Sequence, residues 1–183
     1  MDNRFMINIA KDAILEELLQ KQLIDREKLL KAYPKLSKKG ATFVTLEKGK
    51  NLRGCIGTLV AHQTLLDDLI SNAKSAAFRD SRFRPLTQIE FDDRDFTVEI
   101  SLLSEPKLLR YKDINDLKNK IRVGMDGVVL KYGNYQSTFL PQVWEQLPSF
   151  DAFFTHLCKK AGLRSNCLEK NPQIYLYRVE KIK

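Results

Sequence analysis

The sequence predicts an α+β fold in which a mainly antiparallel sheet is flanked by helices. Three features lead there. Several segments repeat their apolar residues at helical spacing, others alternate with a period of two, and two turn signals join neighbouring strands as hairpins. Helical and strand segments are mixed, without the strict alternation that builds a parallel sheet.

Residues 6–24 read as the first helix, with Ile14, Leu15, Leu18, Leu19 and Leu23 as its apolar stripe. A short helix follows from Asp25 to Ala32, and Pro34 ends it. The period then changes. Thr42 to Glu47 and Leu52 to Leu59 flank the turn residues Gly49-Lys50-Asn51 and predict a hairpin. Thr64 can cap the next helix, whose first turn holds Asp67 and Asp68 and whose stripe runs through Leu65, Leu66, Leu69, Ile70, Ala73, Ala76 and Ala77. The alanines late in that stripe imply a close approach by another element. Phe96 to Leu103 alternates as a strand, and Asp113 to Ile121 reads as a short helix. Gly133-Asn134 joins the strands Asp126–Tyr132 and Tyr135–Leu140. Pro141 opens a short helix through Trp144, and Pro148 stops it. Ser149 can cap a helix with the stripe Phe150, Phe153, Phe154, Leu157, Cys158 and Ala161, ended by Gly162. Gln173 to Ile182 closes the chain as one strand.

A chain of 183 residues suits one domain, here residues 1–183, and 43% hydrophobic content can build its core. The net charge of +8 would suit an anionic polymer if it were clustered, but the excess is spread along the chain. Nucleic-acid binding therefore ranks last among the functions considered. Three irregularly spaced cysteines do not make a disulfide framework, and their odd number leaves at least one free thiol. A reducing, cytoplasmic setting is the expectation. The start Met1-Asp2-Asn3-Arg4 lacks a secretory build, and no run approaches the roughly 18 apolar residues of a membrane span.

The chemistry concentrates in Leu52-Arg53-Gly54-Cys55-Ile56-Gly57. Glycines beside a cysteine in a strand mark a bulge or a close approach. Strict alternation would put Arg53 and Cys55 on one face, where a guanidinium favours the nucleophilic thiolate. The amides of Gly54, Ile56 and Gly57 could face a ligand; the competing reading is a small buried cysteine on a kinked strand. Asp80 and Arg82 could pair to order a loop or bind a polar ligand. Glu99, on the polar face of its strand, is a candidate general acid or base if Cys55 lies near it. Cys158 sits on an apolar stripe and reads as core packing. The two histidines and three cysteines give no zinc spacing, and no cofactor fingerprint is present.

The Leu52–Gly57 hexapeptide is identical to the signature of the AMMECR domain family. The resemblance continues in family order through Ala76–Pro85, Val98–Ser104, Leu140-Pro141-Gln142-Val143 and Cys158–Leu163. It implies two unequal lobes with the signature near a cleft between them. It also implies a Memo-like protein and a radical-SAM protein as partners, with an unknown small-molecule substrate and an unknown cofactor. On that basis the catalytic candidates are Cys55, Arg53 and Glu99, and the ligand-binding candidates are Gly54, Ile56, Gly57, Asp80, Arg82 and Gln142. The sequence departs from the family at Ser81, where a proline is usual, and at Gln136-Ser137-Thr138-Phe139, where an arginine is lost. Cys167 lies where relatives often carry tryptophan, which implies packing. An enzyme or enzyme component and a non-catalytic protein- or metabolite-binding module both remain open.

Overall fold

The computed structural model describes residues 3–183; Met1 and Asp2, part of the expected leaderless start, lie outside the described residues. The elements follow the order α1 (Phe5–Leu19), α2 (Arg26–Ala32), β1 (Ala41–Lys48), β2 (Asn51–Gly57), α3 (Leu65–Phe78), α4 (Gln88–Phe91), β3 (Phe96–Leu103), β4 (Lys107–Leu109), α5 (Ile114–Lys120), β5 (Gly127–Tyr132), β6 (Tyr135–Phe139), α6 (Val143–Gln146), α7 (Phe150–Lys160), β7 (Gln173–Tyr177) and β8 (Val179–Ile182). Short 3-10 turns stand at Pro34–Ser37 and Cys167–Lys170. The fold is α+β with two four-stranded sheets, and the strand pairs whose register is defined are antiparallel. Two compact units result, one running to Leu103 and regaining Glu180–Lys183, the other spanning Ser104–Val179.

In the first unit the strand order is β2-β1-β3-β8. Val44, Leu46, Val98 and Ile100 turn one sheet face toward α1 and α3 and are buried there. The stripe of α1 is Met6, Ile9, Ala10, Ala13 and Ile14 rather than the later leucines expected from sequence. Leu19 and Leu23 are exposed because the helix stops at Leu19, where Gln20 takes a left-handed conformation with φ 50°. Glu16 secures this exit: its carboxylate accepts from the amides of Leu23 and Ile24 at 3.0 and 2.9 Å, and from Lys74 of α3 at 2.9 Å. Thr64 caps α3 as its hydroxyl position predicts. A buried network joins α3 to β1, in which Asp68 accepts from the Thr42 amide at 2.7 Å and from Asn72 at 3.0 Å.

The second unit has the strand order β4-β7-β5-β6, with α5, α6 and α7 supplying its core. Trp144 is buried, stacks on Phe153 with ring centroids 3.6 Å apart, and donates from its indole to the Asp126 carbonyl at 2.9 Å. Ser149 caps α7.

Two expectations are corrected. Cys158 and Cys167 are not independent packing residues: they form a disulfide that ties α7 to the 3-10 turn after it, so only Cys55 is a free thiol. Their separation of nine residues lacks a recognisable spacing pattern, and the turn that brings them together is tertiary in origin. The closing strand expected over 173–182 is two strands in different sheets. The break falls at Arg178, whose amide donates to the Ser104 hydroxyl at 2.9 Å and whose carbonyl accepts from the Ser104 amide at 2.8 Å.

Candidate functional site

Cys55 lies on β2, the edge strand of the first sheet, opposite Thr45 of β1, and Thr45 is in turn opposite Glu99 of β3. The three side chains therefore form one row across the sheet, on the face turned away from α1 and α3. All three are half-buried. Thr45 Oγ1 and Cys55 Sγ are 3.3 Å apart, and either can donate. From the spacing of strands, Glu99 stands roughly 10 Å from Cys55 along the backbone.

An edge strand leaves alternate N–H and C=O groups unpaired, and here two side chains take the place of a missing strand. Asp80, which follows the C-terminal end of α3, accepts from the Cys55 amide at 2.9 Å. Arg82 donates to the Cys55 carbonyl at 3.2 Å. The pair is locked to itself, with Arg82 Nη2 and Nε 2.6 and 2.9 Å from the Asp80 carboxylate. Arg82 is the leading cause that holds the Asp80 carboxyl well below the usual range, against a burial effect that pushes it up. Asp80 and Arg82 thus act as a clamp on both backbone groups of Cys55.

Arg53 is brought to a different partner. Leu46 faces Gly54 while Glu47 faces Leu52, so Arg53 is the extra residue of a β-bulge. Its guanidinium forms a two-pronged pair with Glu90 of α4, at 2.8 and 3.1 Å, and donates to the Arg84 carbonyl at 2.9 Å. That pairing holds the Glu90 carboxyl down to about 2, outweighing the effect of burial, with help from Thr87. Among the described residues, Arg53 Nη1 is buried without a hydrogen-bond partner. Phe83 lies near both guanidinium groups, 5.8 Å from Arg53 and 5.5 Å from Arg82. The cation in direct contact with Cys55 is accordingly Arg82, and the strict alternation that paired Arg53 with the thiol is broken by the bulge.

The signature glycines meet the chain itself. A Cβ on Gly54 would lie 2.1 Å from the Ala76 carbonyl oxygen of α3, and one on Gly57 would lie 2.2 Å from the Phe43 ring. Ile56 packs against the core of the first unit. Glu99 pairs with Lys183 at 2.7 Å and Lys181 at 3.4 Å. Burial pushes its carboxyl up, but the two lysines together outweigh this and hold it below its ordinary range. Gln142 is exposed at the start of α6 in the second unit. The structure therefore gathers Cys55, Asp80, Arg82 and Glu99 around β2 and β1, and links Arg53 to them through Phe83. Thr45, Phe83 and Glu90 were missed from sequence. The Thr87–Glu90 capping box was the legible signal for Glu90, whereas Thr45 needed the bulged hairpin register.

Fold and site define an α+β protein that presents its one free thiol on a side-chain-clamped edge strand. The AMMECR1 family model matches residues 7–182, and the chain belongs to that family. A protein of Methanothermobacter thermautotrophicus is 38% identical over 182 residues, covering 98% of this chain and 91% of the relative. One from Saccharolobus islandicus is 39% identical over 176 residues, covering 90% and 73%. The crystal structure of an uncharacterized protein from Pyrococcus horikoshii superposes with a TM-score of 0.74 at 31% identity, covering 97% of this chain and 89% of that one.

Proposed function

We propose that the chain is a component of a multi-protein enzyme system that holds a small polar substrate at a cleft centred on Cys55. The observation that carries this is the fixing of Cys55: both its backbone groups are held by Asp80 and Arg82, and its sulfur meets Thr45 on a half-buried polar face. A thiol so placed can contact a ligand with little loss of conformational freedom. The Asp80 carboxylate near it is committed to Arg82 and to the Cys55 amide. Glu99 stands two strands away and is kept ionised by lysines, which makes it a weak proton acceptor near neutral pH. In this proposal the bond-making step falls to the Memo-like and radical-SAM partners, while Arg53, Gly54, Ile56 and Gly57 shape the strand.

The alternative, a non-catalytic binding module, draws on the same engagement of Glu99 by Lys181 and Lys183. The free thiol fits a cytoplasmic setting, and the Cys158–Cys167 disulfide argues against a strongly reducing one. Co-purification with both partners, combined with Cys55→Ser and Cys55→Ala in a deletion strain, separates the readings. The component proposal expects an intact complex and loss of pathway output in both variants. Full output from Cys55→Ala with the complex retained would leave the binding module. Absence of any complex would remove the component role.

A further inference from the structure

A recess of about 580 Å³ is lined by residues of the second unit alone. Its charged groups come from four places in the chain: Lys107 on β4, Lys120 at the end of α5, Arg122 in the loop before β5, and Arg178 after β7. Two carboxylates, Glu105 and Asp126, share the lining. Four cations against two carboxylates leave a net charge of +2.

Carboxylates pair with two of the four cations, Arg178 and Lys120. Asp126 is buried at the base of the loop, where it accepts from the Arg122 amide at 2.7 Å and pairs with Arg178 Nε at 3.3 Å. Lys120 donates to the Arg110 carbonyl at 3.0 Å and to Asp116 at 2.8 Å, so one of its three protons stays free. Among the described residues, the Lys107 ammonium and the Arg122 guanidinium enter no hydrogen bond or ion pair. Asp126 thus fixes the loop while two exposed, unpaired cations stay available. Leu176 and Tyr177 add carbon surface to the wall. The volume falls within the roughly 300–1,000 Å³ of small-molecule sites, which leaves room for an organic group beside a charged one.

We propose that this recess binds a small phosphate-bearing metabolite, with Lys107 and Arg122 as its principal contacts and Arg178 as a third donor. A phosphate monoester carries close to two negative charges near neutral pH, which the two unpaired cations Lys107 and Arg122 can meet, and a guanidinium fork suits its oxygens. This site is separate in its residues from the Cys55 row and stands whether or not that row holds a substrate.

Calorimetric titration of the full chain with phenyl phosphate at low, constant ionic strength tests it, with acetate as the monoanionic comparison. Saturable one-to-one binding is expected, with acetate weaker and with roughly hundredfold loss of affinity in Lys107→Gln/Arg122→Gln, about tenfold for each of the two charge-assisted contacts removed. Because both side chains are exposed and unpaired, the variant should keep the wild-type melting temperature. Lys38→Gln/Lys39→Gln removes the same charge elsewhere and should bind as the wild type does. Lack of saturation, equal affinity for acetate, or an equal loss in the Lys38/Lys39 variant would overturn the proposal.

Discussion

Gly54 shows how one missing methyl group can position a site. The Ala76 carbonyl passes so close that a Cβ would stand 2.1 Å from it, a separation no rotamer change relieves because the Cβ is fixed by its own backbone and the oxygen belongs to the helix backbone. Gly54→Ala must therefore push α3 away from β2. We expect a loss of about 3 kcal/mol in urea unfolding, at the upper end of overpacking costs; a loss under about 0.5 kcal/mol would show that the helix moves freely. Asp80 acts at the next position along the strand. Its carboxylate is buried and receives the Cys55 amide, so Asp80→Ala leaves that donor unpaired and frees Arg82. Stability should fall by about 2–3 kcal/mol, and the Cys55 amide should exchange with solvent faster by roughly tenfold or more. Hydrogen exchange followed by NMR reads this directly, and an unchanged Cys55 amide would mean that the clamp does not hold the strand.

At the scale of elements, α4 is only four residues long, yet its Thr87–Glu90 capping box presents the carboxylate that Arg53 needs. The pH dependence follows from Glu90. Its folded-state carboxyl is held near 2 against an ordinary 4.5, so its contribution is fully present above about pH 4.5 and is lost as the pH falls toward about 2. Over that window the wild type should lose about 2 kcal/mol more than Glu90→Gln, a figure reduced for partial exposure, and denaturant unfolding at stepped pH measures it. The Cys158–Cys167 disulfide acts on α7 in a similar local way. Closing a nine-residue separation should contribute roughly 2.5 kcal/mol through the unfolded chain, so Cys158→Ala/Cys167→Ala should melt lower and lose the thermal response to dithiothreitol. Most elements were legible because their caps and periods are local: Thr64 and Ser149 each cap the helix their positions predict, and Asp113 caps the helix expected to begin with it. The three-residue β4 was too short to show a period, and α4 was hidden in a polar loop. The signature glycines signalled a bulge or a close approach, but its position at Arg53 was invisible because alternation in one strand carries no information about its partner's count. The disulfide was missed for a related reason, since neither cysteine's neighbours reveal the turn that joins them.

At the scale of the whole chain, the order of residues and the order of cores part company at the C-terminal end. β7 completes the second sheet, the chain breaks at Arg178, and β8 enters the first sheet beside β3. From sequence the two strands read as one, because apolar residues continue through the break and only the Ser104–Arg178 hydrogen bonds mark it. The consequence is that the first core is finished by Ile182, which is 4% exposed and clusters with Val98 and Ile100 although it lies about eighty residues later. The same strand brings Lys181 and Lys183 to Glu99, so the charge state of the Cys55 row depends on it. Ile182→Ala should therefore cost about 2–4 kcal/mol, as for a large aliphatic side chain removed from a packed core. The loss should also be local. Hydrogen exchange read by mass spectrometry should accelerate in peptides from β3 and β8, while peptides containing Val128–Leu130 of the second core serve as the reference. Glu99 gives a second readout: with β8 loosened, its carboxyl should rise from its depressed range toward the ordinary value, because the lysines that hold it down arrive on that strand. A variant with unaltered exchange in β3 and an unmoved Glu99 titration would show that the first sheet is complete without its last strand.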